Sequence, residues 1–296
     1  MTQQNRWIYP LLLVGLGVGW GLTQPLGKIA ASSGYPPFGL IFWQLVICTF
    51  VLGGLSLARG KRLQFHPAAL RFYVVVAIVG TLVPNTTFYI SVAQLPAGIM
   101  SILISMVPLL AFPIGVALRM EHFSTRRLGG LALGLLGVLL IAVPNTSLPD
   151  PAMAAFLPLA MIGPLFYAFE GLYVARYGTA GMDALTAMFG ASLVGLILCT
   201  PIMLAMGQWF AMPLPPGRVE WALIASSTLH ALLYATYVWL AAKAGAVFAS
   251  QSSYIVTASG VVWAMLILGE RFSPWVWAAA VVMLAGLALV QPKFKA

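Results

Sequence analysis

Apolar stretches long enough to cross a bilayer follow one another along this chain, with only a few polar residues between them. A membrane-spanning helix needs about 20 mostly apolar residues to cross a hydrocarbon core of roughly 30 Å. Ten such stretches fit, at 8–31, 37–58, 69–91, 96–118, 127–143, 153–175, 184–206, 219–241, 246–268 and 275–291. Charged residues make up 7% of the 296 and hydrophobic ones 61%, whereas soluble domains carry about 25% charged residues. The expected fold class is therefore an all-α integral membrane protein of ten transmembrane helices. Short connections such as Pro36-Pro37 and Pro213-Leu214-Pro215-Pro216-Gly217 punctuate the spans.

Several function classes are excluded by what is left over. Ten spans of about 22 residues use roughly 220 residues, which leaves no room for a soluble catalytic or nucleotide-binding domain. The chain has no GxxxxGK[ST] phosphate loop to power transport with ATP. Cys48 and Cys199 are the only cysteines, and neither has a ligand cluster around it, so no disulfide, metal or cofactor is expected. The stretch from Ile8 to Ala31 exceeds a signal-peptide h-region and reads as a retained first span.

The net charge of +9 reflects topology rather than nucleic-acid binding. With the N-terminus in the cytoplasm, twelve Lys and Arg residues fall inside: Arg6, Arg59, Lys61, Arg62, Arg71, Arg119, Arg126, Arg127, Arg176, Lys243, Lys293 and Lys295. Three fall outside, Lys28, Arg218 and Arg271. That asymmetry follows the positive-inside rule and puts both termini in the cytoplasm. Trp7, Tyr9, Tyr35, Tyr177, Trp209, Trp221 and Trp275 fall near the proposed interfaces, as an aromatic belt does.

The chain also repeats itself. A shift of 149 residues lays Glu121-His122-Phe123-Ser124 on Glu270-Arg271-Phe272-Ser273, and ten of the fifty positions from 93 to 142 are identical. The two halves, 1–147 and 148–296, then hold five spans each. An odd number of spans inverts the second half relative to the first, the plan of many secondary transporters.

Trp20-Gly21 followed by Lys28 resembles the opening of the drug/metabolite transporter superfamily. Asn85 to Ile141 resembles its EamA repeat, with Pro108-Leu109 in mid-helix, Glu121 in the loop and glycines from Gly129 to Gly137. Tyr234 to Val290, with Leu268-Gly269-Glu270-Arg271, is similar to a second copy. The resemblance covers nearly the whole chain. It implies two inverted five-helix repeats around a central cavity and export of small metabolites; the aromatic-rich spans look most like bacterial aromatic amino-acid exporters.

Polar side chains are costly in hydrocarbon and collect where the protein or a water-filled cavity shelters them. Under the shift, Thr81, Asn85 and Phe88 meet His230, Tyr234 and Tyr237, each set on one helical face. Ser101 and Ser105 meet Ser250 and Tyr254, and Pro108 meets Thr257. Spans three, four, eight and nine are therefore expected to line the cavity, with Ser253, Gln24, Gln44, Tyr89 and Trp263 added to the candidate lining. Small hydroxyl residues equally serve close helix packing. Apart from Glu220 at the very start of its span, Glu170 is the one acid inside a span, and His230 is the one histidine there; either suits proton coupling, and either also suits a structural hydrogen bond. Pro84, beside Asn85, is the candidate hinge.

The expected activity is alternating-access export of aromatic or other apolar amino acids across a bacterial inner membrane. The expected partners are that small-molecule substrate and the lipid bilayer; the sequence leaves the oligomeric state open and is compatible with a monomer. A multidrug or organic-cation exporter is the main alternative. A nucleotide-sugar or sugar-phosphate carrier ranks below it, because Lys28 is the only basic candidate near a span interior. An intramembrane enzyme ranks last, because no catalytic cluster is present.

Overall fold

The computed structural model of the chain describes residues 8–144, 146–244 and 246–290, so Arg6, Trp7, Lys293 and Lys295 lie outside the described residues. Secondary structure there is helical throughout. The spans are α1 (Ile8–Ala31), α2 (Pro37–Ala58), α3 (Pro67–Gln94), α4 (Ala97–Ala117) and α5 (Thr125–Ala142). They continue with α6 (Leu157–Tyr177), α7 (Ala184–Ala205), α8 (Arg218–Ala244), α9 (Phe248–Leu268) and α10 (Pro274–Val290). Eight of them are long and apolar enough to cross a membrane, and α10 is apolar but shorter. α1 has the length, at 24 residues, but carries Gln24 and Lys28. The protein is thus a multi-pass membrane protein.

Helix boundaries recur at the offset read from the sequence. α1 and α6 begin 149 residues apart, as do α5 and α10. The Glu-x-Phe-Ser repeat is explained by its serines. Ser124 accepts from the Arg127 amide at 3.4 Å and Ser273 from the Val276 amide at 3.4 Å, so each caps the last helix of its half. α3 starts two residues earlier than expected because His66 caps it, accepting from the Ala69 amide at 3.3 Å.

Packing follows a pseudo-two-fold. α1 lies against α8 and α9, and its repeat mate α6 lies against α3 and α4. α2 meets α7, α4 meets α9 and α5 meets α10. Without water between them, membrane helices associate through close packing, which small residues permit. At α5–α10 a Cβ on Gly130 would stand 2.6 Å from the Gly286 carbonyl oxygen, and one on Gly286 would stand 2.6 Å from the Gly130 carbonyl oxygen. Backbone cannot yield as a side-chain tip does. Gly286→Val is therefore expected to destabilise the protein by about 1–3 kcal/mol, the usual cost of overpacking. A lowered thermal midpoint in detergent, with Ala285→Val as the control, checks this.

Three irregularities escape a reading of hydropathy alone. α3 is π-helical from Val76 to Leu82. α4 breaks at Ile104–Ser105, where Val107 takes the Ile104 carbonyl at 3.1 Å. Pro108 has no N–H to give that carbonyl, which is the physical reason for the break. α9 has a matching turn at Gln251.

Candidate functional site: a central uncharged cavity

The distortion of α3 places the site. After the π segment the helix resumes through Pro84, and Thr86 and Thr87 donate back to Leu82 O at 2.7 Å and Pro84 O at 2.9 Å. These bonds engage carbonyls of the distorted turn and hold the next turn, with Asn85, Phe88 and Tyr89, against the bundle interior. The broken α4 adds Met100, Leu103 and Ile104. α1 contributes Thr23, Gln24 and Gly27, α2 contributes Gln44, α6 contributes Gly163, Pro164 and Tyr167, and α8 contributes Ser226 and His230. Together they line one central cavity.

The polar core of this chamber is a hydrogen-bonded set. Gln44 Oε1 accepts from Asn85 Nδ2 at 3.2 Å and from the Tyr89 hydroxyl at 3.0 Å. Gln24 Oε1 is buried and accepts no bond from another protein group. A second, smaller chamber is lined by Thr81, Tyr234, Cys48 and Ser192, among others. It shares Gln44 and His230 with the first, so these two side chains stand at the waist between them. Among the described residues, no Asp, Glu, Lys or Arg lines either chamber.

One end of the bundle is latched. Lys28 Nζ donates to Val92 O and Leu95 O, each at 2.9 Å, tying the end of α1 to the end of α3. Glu270 accepts from the amides of Ala97 and Gly98, at 2.7 and 3.0 Å, tying the α9–α10 connection to the start of α4. Lys28 is next to Gly27 of the chamber wall. In the first repeat Glu121, the counterpart of Glu270, pairs instead with Arg127 at 2.7 Å.

Of the expected site residues, the structure brings Gln24, Gln44, Asn85, Tyr89 and His230 to the first chamber, with Pro84 in its wall. Thr81 and Tyr234 line the second. The others lie outside the lining. Ser101 bonds Ala97 O at 3.1 Å, Ser105 bonds Ile102 O at 2.8 Å, and Thr257 bonds Ser253 O at 2.9 Å. Trp263 donates to Val18 O at 3.2 Å, and Tyr237 packs on Trp20 at 5.4 Å. Ser250, Ser253, Tyr254 and Glu170 do not border either chamber.

None of the described residues lining the two chambers comes from α9. Its small residues pack on α1 and α4 instead. Ser259 donates to Gly17 O at 3.1 Å, and a Cβ on Gly260 would collide with Ser101. α1 and α6 supply walls that the repeat comparison missed. The polar Gln24 pointed to the first; the Gly163-Pro164 pair, which leaves room beside α3, marks the second.

Comparison with known proteins follows the same lines. Among curated proteins none matches this chain. One solved crystal structure superposes with a TM-score of 0.62 at 16% identity, over 95% of this chain and 96% of its own; at that identity the likeness shows the fold. The family model for EamA-like transporters matches twice, over residues 7–143 and 155–291. With two copies of the repeat spanning most of its length, the chain belongs to the EamA-like transporter family.

Proposed function

We propose that this protein exports small neutral or zwitterionic amphipathic metabolites, aromatic amino acids foremost, from the bacterial cytoplasm across the inner membrane by alternating access. The observation that carries the reading is the cavity lining: amides, hydroxyls, an imidazole and aromatic rings, with no charged side chain among the described residues. An amino acid needs donors for its carboxylate and acceptors for its ammonium. Gln24, Gln44 and Asn85 offer both types. Phe88, Tyr89 and Tyr167 offer ring faces, each contact worth about 0.5–1.5 kcal/mol beyond area burial.

The same rings suit an organic cation, but a desolvated cation wants a carboxylate beside it, and Glu170 is outside the lining. A sugar phosphate wants Lys or Arg, and Lys28 is engaged with α3 carbonyls. Both alternatives rank lower on those grounds.

The experiment is counterflow. Proteoliposomes preloaded with unlabelled tryptophan or phenylalanine should accumulate the labelled amino acid. Excess unlabelled aromatics should block it, and lysine or glutamate should not. Absence of counterflow from folded, inserted protein, together with counterflow of a quaternary ammonium dye, would replace the amino-acid reading with the cation one.

A further inference from the structure

Two departures from the internal two-fold meet at one point. The offset of 149 residues lays Glu170 of α6 on Gly21 of α1, so the acid has no counterpart in the first repeat. The same offset lays the π segment Val76–Leu82 of α3 on 225–231 of α8, which is ordinary α-helix. Glu170 touches Gly80, in the middle of that π segment. A Cβ at Gly80 would strike the carboxyl carbon and Oε1 and approach Oε2 to 2.8 Å. Only glycine admits the contact.

The carboxyl is sealed in. Glu170 is 5% exposed, and its Oε1 is buried without a hydrogen-bond partner. Tyr167, one turn away on α6, and Tyr237 from α8 lie near it, with Tyr173 one turn to the other side on α6 and Arg71, Tyr73 and Tyr89 on the turns of α3 that flank the π segment. The π segment and the α4 helix packed on α6 carry no titratable residue, and the Lys28 ammonium is engaged elsewhere. A charge buried without a partner costs several kcal/mol, and acids retained within membrane spans mark ion or proton paths. π-bulges, in turn, concentrate at functional sites.

We propose that Glu170 and the π segment of α3 form a proton-binding site, separate from the substrate chamber, that couples transport to proton movement. The inference rests on the transporter reading above. The protonated carboxyl packs on Gly80 and holds α3 bulged. After its O–H bond breaks and the proton passes to water, the carboxylate is driven from that contact towards hydration. Reprotonation from water on the other side restores it. No electrons are exchanged. Because Asn85 lies one turn beyond Gly80, a change in the π segment moves a polar group of the chamber directly, and Tyr167 joins the carboxyl's helix to the chamber wall.

Two readouts test it. The first needs no substrate. Dicyclohexylcarbodiimide attacks protonated carboxyls in apolar surroundings. Peptide mass spectrometry of membranes holding the full chain should find the adduct at Glu170, falling as pH rises and absent in Glu170→Gln. The second uses labelled tryptophan in inside-out vesicles with an imposed pH gradient. Wild-type and Glu170→Asp accumulate more with the gradient than without it. Glu170→Gln falls to the gradient-free level while retaining counterflow. No adduct on wild-type Glu170 at any pH overturns the proposal, as does wild-type accumulation indifferent to the gradient while counterflow proceeds. Failure of tryptophan counterflow itself overturns the substrate reading instead, and the labelling result then decides this one.

Discussion

Replacing Gln44 by leucine is expected to cut tryptophan counterflow by about 10–100-fold, since the loss strands two buried donors at roughly 1–3 kcal/mol each. Gln44 Oε1 is the shared acceptor for Asn85 and Tyr89, so one substitution frees both from their set positions. The side chain also stands at the waist between the chambers. Leucine fills the volume and keeps α2 apolar, which favours retention of the bundle. Initial counterflow rates in proteoliposomes of matched protein content measure the effect. Tyr89→Phe removes only one of the two donors and is expected to lose less. Equal activity of Gln44→Leu and wild-type would show that the amide set is structural.

The second large effect concerns the latched end. Glu270 holds the first two amides of α4 from a connection in the other repeat. On the proposed alternating-access cycle, opening at the Lys28 side requires those bonds to break. Hydrogen bonds to a charged group contribute about 1.5–3 kcal/mol. Glu270→Gln removes the charge and leaves one acceptor oxygen for two donors. The populations should then shift by about 10–100-fold towards the state open at that end. A single cysteine at Ser226, in a background with Cys48 and Cys199 replaced by alanine, reports this as faster modification by an impermeant thiol reagent from the Lys28 side. An unchanged rate would mean that the latch does not limit opening.

Much of the architecture was legible because hydrocarbon imposes few solutions. Ten apolar lengths had to become helices, since lipid satisfies no backbone group, and their ends matched those of the structure to within a few residues. The aligned Phe-Ser pairs identified the repeat because Ser124 and Ser273 perform the same local task as helix caps. The break in α4 has a local cause in Pro108, which lacks the amide for the Ile104 carbonyl. The π segment of α3 had no comparable signature: nothing in Val76–Leu82 is unusual except Gly80, and its meaning depends on Glu170, ninety residues away in sequence.

The candidate site was legible by half. Inverted symmetry led to α3 and α8, whose polar faces do converge on the cavity. For α9 the signal was ambiguous, because serine and threonine report sheltered surroundings without saying whether backbone or substrate provides them. Ser101 and Thr257 bond carbonyls of their own helices, and the glycines facing α9 turn its small residues into packing. Which walls α1 and α6 contribute is set by how the halves dock, and that is a tertiary property. Lys28 shows the same limit: in sequence it is an outside charge, in the structure it is a tie between two helix ends.

The most direct test of the account is substrate protection of the chamber. In the cysteine-free background, Ser226→Cys places a thiol in the chamber wall with little change of shape. The rate of its modification by a small thiol reagent is measured with and without saturating tryptophan in protein that supports counterflow. Slower modification with tryptophan, and no slowing with lysine, is the predicted result. An unprotected thiol in protein that still carries tryptophan would contradict the account, because the substrate would then pass by a route other than this cavity.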